Sequence, residues 1–128
     1  EVVSRLRERA AAEAEPMSGL AQRLVDEGLR MASQPGIVFR GGASGRRAAL
    51  AAGPDVWEVV ALIRSLDSRG DAAVAEAAAW LQLTEPDIRV ALGYYGEFAP
   101  EVDAEVTANE QAAEKALRSW EAQQRLLA

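Results

Sequence analysis

The residues of this chain best suited to chemistry are arginines beside glycines. Gly41, Gly42 and Gly45 precede Arg46 and Arg47, with Arg40 just upstream. Glycine turns expose backbone N–H groups, and guanidinium forks match phosphate oxygens. A nucleotide P-loop needs Lys and then Ser or Thr after its last glycine, and here two arginines follow. The dinucleotide spacing of glycines fails as well. Three readings of Arg40, Arg46 and Arg47 stay open: solvated turn residues, a grip on DNA phosphate, or a contact with a protein partner. Carboxylate pairs are the other candidates. Asp67 with Asp71, or Asp55 with Glu58, has the spacing of an acid–base couple. Each also falls where a helix start calls for a cap or an acid near the dipole. The chain has neither Cys nor His. That excludes disulfides, thiol nucleophiles, Cys/His zinc sites, Cys-ligated iron–sulfur clusters and Ser-His-Asp triads. The expectation is a binding protein, not an enzyme, with no catalytic residues, no metal and no cofactor.

Charge is divided along the chain. The total is −6, but residues 1–50 carry +2, residues 51–100 carry −5 and residues 101–128 carry −3. Any nucleic-acid surface therefore belongs to the first fifty residues. The rest repels phosphate and suits a basic protein. No run of 18 apolar residues exists, so no membrane partner is expected. No signal peptide is read, which points to the cytoplasm. The first residue is Glu1 and not Met, so further residues are expected upstream.

The elements that would position these groups are mainly helical, as the abundance of Ala and Leu favours. Val3, Leu6, Ala10 and Ala14 recur at helical spacing over residues 2–14. Pro16 ends that helix, and Ser18 is the expected N-cap of a second, running to about Ala32. Met17, Leu20, Ala21, Leu24, Val25, Gly28 and Met31 form its apolar face. This hairpin has one greasy side and no third layer. It should pair with a copy of itself through Leu6, Leu20, Leu24 and Met31, giving a homodimer from residues 1–33.

Residues 34–98 form the second expected unit. Ile37 to Arg40 reads as a strand, and Arg46 to Ala51 as a weaker return strand, together a small β-hairpin wing. Pro54 is expected at the first helical position of a helix to about Leu66. Asp71 is the expected cap of a helix over about 72–82. Thr84 and Asp87 make a capping box for a helix to about Tyr95. This order is that of a helix-turn-helix, with Trp80, Leu81, Ile88 and Leu92 as its core. Glu85, Asp87 and Glu97 against Arg89 argue for packing or dimerisation over groove reading. Tyr94 and Tyr95 are expected to face the bundle.

Residues 99–128 form the third unit, a long helix from about 101 to 126 opened by Pro100. Val102, Val106, Ala113, Ala116, Leu117, Trp120 and Leu127 draw a narrow stripe along it. Such a stripe packs onto its own domain, onto a second copy, or into a partner's groove.

Two stretches resemble known families. Residues 2–31, VVSRLRERAAAEAEPMSGLAQRLVDEGLRM, resemble the helices of ribbon-helix-helix antitoxins. Residues 35–92, with PGIVFRGGASGRRAAL, GPDVWEVV and LTEPDIRVAL, resemble a small helix-turn-helix family found beside PIN-like toxins. In this order they resemble a VapB-type antitoxin. The resemblance implies a dimer that binds operator DNA, represses its operon and blocks a PIN-like RNase toxin. It places a base-reading strand before Glu1 and Ser18 against a phosphate. The length, narrow apolar stripe and acidic first half of the last helix make it the expected toxin-binding element, with Leu117, Trp120 and Leu127 as anchors and Glu110 and Glu114 facing the toxin's basic or metal-binding side. The alternative is a stand-alone transcriptional regulator without a toxin.

Overall fold

The computed structural model describes residues 1–42 and 45–128. It is mainly helical, with one small antiparallel hairpin. The order is α1 Val2–Ala12, α2 Met17–Ser33, β1 Ile37–Gly42, β2 Gly45–Leu50, α3 Val56–Ser65, α4 Gly70–Leu81 and α5 Glu85–Leu127. The expected fold class holds, with local differences that have physical causes.

The first helix ends at Ala12, not Ala14. Ala14 sits at φ 52°, a left-handed conformation, and the Glu15 N–H donates back to the Ala10 carbonyl at 3.0 Å. That arrangement closes a helix C-terminus and turns the chain. Pro16, in extended conformation, is the N-cap of α2 and offers no side-chain bond. Ser18 therefore lies inside the first turn and is not the cap.

Antiparallel pairing puts Ile37 opposite Leu50 and Gly42 opposite Gly45. Residues 46–50 hold as a strand despite two alanines, because Ala48, Ala49 and Leu50 are buried against the helices. Gly36 enters the hairpin at φ 95°, where a Cβ would lie 3.1 Å from a Val90 methyl. Only glycine suits both that dihedral and that approach.

Asp55, not Pro54, precedes the first turn of α3. Arg69, not Asp71, stands at the N-cap of α4. The Thr84–Asp87 capping box at the start of α5 is present as read. The core gathers Ile37, Leu50, Val56, Val59, Val74, Ile88, Ala91 and Tyr94 around the first half of α5. Trp80 does not join it and is 69% exposed. Ala73, Val74, Ala77 and Ala78 make the buried face of α4, and these small residues let the helices approach more closely than a Trp would.

The break expected at Pro100 is a kink within one long helix. Phe98 leaves helical geometry at φ −122° and ψ 36°, as a proline ring two residues on requires of the preceding turn. Beyond it Val102 and Val106 are buried. The core therefore extends past the boundary drawn at residue 98, and the helix leaves it only at Thr107. From Thr107 to Ala128 every residue is exposed.

Candidate functional site

The wing was the expected DNA contact. Each of its three arginines has an internal partner. Arg40 donates to the Gly53 carbonyl and, at 3.0 Å, to the Leu50 carbonyl. Arg46 forks onto Glu27 of α2, at 3.1 and 2.5 Å. Arg47 donates to Asp55 at 2.8 Å, and the same oxygen accepts the Trp57 indole N–H at 3.0 Å. Glu27 is buried, and the pairing raises the Arg46 pKa by hydrogen bonding that outweighs burial. Two of the three cationic charges are thus compensated by carboxylates. A phosphate would have to displace them, which costs more than filling an open site. Ser18 is exposed on the first turn of α2. In the turn before it, Glu13 and Glu15 hold Arg23 at 2.7 and 2.5 Å.

The expected dimer face is divided. Leu20 is fully buried within the hairpin and presents nothing to a second copy. Leu6 is half-buried. Leu24 and Met31 are exposed, together with Val2, Val3, Val25 and Leu29. Leu29 belongs to this apolar surface and was missed because it lies off the main stripe.

The hairpin meets the body through side chains. Arg30 stacks 4.1 Å from the centre of the Phe98 ring. It also donates to the Tyr94 hydroxyl at 2.8 Å and to Glu101 at 2.9 Å. Burial opposes the Arg30 charge, but the bonds to Glu101 and Tyr94 outweigh it and raise its pKa. Gln34 adds a bond of 2.6 Å to Glu97. This knot clasps the helical kink. Sequence spacing gave no signal for it, since its members lie more than sixty residues apart.

The C-terminal helix places all five expected partner residues in the open. Glu110, Glu114, Leu117, Trp120 and Leu127 are exposed, Trp120 at 57%. Leu126 is a further exposed apolar residue there. Between the wing and the base of this helix lies a groove of about 480 Å³, lined by Arg46, Arg47, Trp57, Glu105 and Asn109 over a floor of alanines. Glu105 Oε2 is sealed from solvent and, among the described residues, has no hydrogen-bond partner. Burial first, then the nearby Glu101 and Asp55 against Arg47, push its carboxyl up to about 7. Sequence reading missed Glu105 because nothing local distinguishes it from its acidic neighbours.

Among the described residues no group of His, Cys, Asp or Glu is placed to hold a metal ion. No helix there is long and apolar enough to cross a membrane. No family model, curated protein or solved structure matches the chain.

Proposed function

We propose that this chain is an antitoxin-type binding protein that holds a PIN-like toxin through its C-terminal helix and acts as a dimer. One observation carries the reading. Residues 107–127 form the end of a regular helix and are exposed, without cover from the described residues, yet bear Leu117, Trp120, Leu126 and Leu127. Ordered, exposed apolar side chains on one element are what an interface presents before its partner arrives. Glu110 and Glu114 on the same helix suit a partner whose basic surface binds RNA. The exposed apolar side of α1 and α2 suits self-association. Operator repression is the subordinate part of the proposal, and it rests on a dimerised N-terminal hairpin more than on the wing, whose Arg46 and Arg47 are already paired.

The test is co-purification and titration with the product of the adjacent reading frame. Trp120→Ala with the core intact should lower affinity by roughly thirty-fold or more, as truncating a buried Trp anchor does. A truncation control should end after Val106, since one at Pro100 removes two core residues. Tight binding retained without residues 107–128 sinks the assignment.

A further inference from the structure

Trp80, on α4, is 69% exposed, but it does not stand alone. With Leu62, Ser65, Leu66, Asp67 and Glu76 it lines a shallow groove of about 370 Å³ between α4 and the end of α3. Leu62, Leu66 and the indole make this groove apolar, and its two carboxylates make it acidic. Glu76 accepts the Ser68 hydroxyl. Asp67 is exposed and has no partner among the described residues. Because α3 ends here, the negative pole of its dipole adds to the acidity. Arg64, in the last turn of α3, is drawn away to Asp103 and Tyr95. Residues 65–88 carry five carboxylates and one cation, Arg69. Such a surface fits a helix that offers aliphatic and guanidinium groups together, since an indole face attracts a guanidinium more strongly once water is shut out.

The first helix has that character. It carries Arg5, Arg7 and Arg9 against Glu8. Val3 is half-exposed, and Arg7 lies one turn further along the same face. Arg9 is held by Glu13, whereas Arg7 has no partner among the described residues. Among the described elements α1 packs on α2 alone, and α4 packs on α3 and α5 alone. The basic helix and the acidic groove therefore do not meet within one chain, and each keeps an uncovered face.

We propose that α1 of one copy docks in the α3–α4 groove of a second copy, with Val3 against Leu62 and Leu66 and the Arg7 guanidinium over the Trp80 indole beside Asp67. Opposite charge chooses this pairing of surfaces and sets its direction. In a two-fold dimer the contact is made twice. The proposal rests on the self-association read above and names the surface that receives α1.

Analytical sedimentation of the full chain and its variants tests it. Trp80→Ala should weaken self-association about tenfold or more and leave the melt of dilute protein unchanged, because the indole is exposed in the single chain. Arg7→Glu and Asp67→Arg should each weaken pairing about fivefold or more, and the two together should restore it to within about twofold of the parent. Pairing that none of these variants disturbs overturns the groove contact and leaves self-association standing. Losses that add in the double variant overturn the Arg7–Asp67 juxtaposition and the proposal with it. A parent chain that stays single at every concentration overturns the self-association reading itself. If the same variants weaken binding of the adjacent gene product and leave self-association unchanged, the groove belongs to that partner and the proposal falls.

Discussion

The two halves of α5 carry the same periodicity and meet opposite fates. Residues 85–106 bury Ile88, Ala91, Tyr94, Val102 and Val106 against α3, α4 and the wing. Residues 107–127 carry Leu117, Trp120 and Leu127 at comparable spacing and bury none of them. An apolar stripe announces that a face needs cover, but not who supplies it. In the first half the cover arrives through the chain's own turns. In the second no described residue supplies it.

That contrast can be broken at several points. The largest expected effect is Ile88→Ala, which opens a cavity at a fully buried site and should cost about 2–5 kcal/mol in denaturant unfolding. Trp120→Ala removes a larger side chain and should leave the unfolding free energy of dilute, unpaired protein within about 0.5 kcal/mol. If both variants lose stability alike, the second half has an internal partner.

Arg46→Ala comes next. It leaves the buried Glu27 without its main cation, and because Arg46 itself is partly exposed the loss should be about 1–2 kcal/mol. Thermal melts at pH 7 measure it. An unchanged melting temperature would mean that the wing arginine is free for phosphate after all.

Glu105 sharpens the comparison at the junction of the halves. Its carboxyl stands at about 7, above the unfolded value near 4.5. The folded chain thus holds this proton more tightly. The resulting stability is complete below about pH 4.5 and is lost as pH rises through about 7. Glu105→Gln should remove this component, so parent and variant melts diverge between pH 5 and 8 in the variant's favour. Parallel pH curves would contradict it.

The smallest effect is expected at Ala14. Glycine adopts φ 52° without a Cβ penalty, so Ala14→Gly should stabilise the hairpin by about 0.5–1 kcal/mol. Hydrogen exchange of the α2 amides would register it.

Much of this architecture was legible. Helical periodicity located α1 to α4 and the two halves of α5, and the Thr84–Asp87 pair fixed the start of α5, but Pro100 read as the start of a separate helix where the structure has a kink in one. These are local signals, written within a few residues of their effect. What escaped is long-range. Arg46 looked like an exposed cation until Glu27, nineteen positions earlier, was brought beside it. Leu20 looked like a dimer contact, but it is fully buried within its own chain. Trp80 looked like core by its size, yet the alanines of α4 took that place. Glu105 lines a groove with Arg46, Arg47 and Trp57, which stand far from it in sequence.

The uncovered end of α5 also sets a distance. Twenty-one residues at the rise of an α-helix make an arm of about 30 Å, which rivals the width of a domain of this size. Whatever grips its tip is held roughly a body-width from the hairpin. A small partner on the arm could therefore ride there while the hairpin engages something else. A bulky one would reach back across the body and exclude it. The size of the cargo, as much as its affinity, then decides whether the two ends of the molecule work together or in turn.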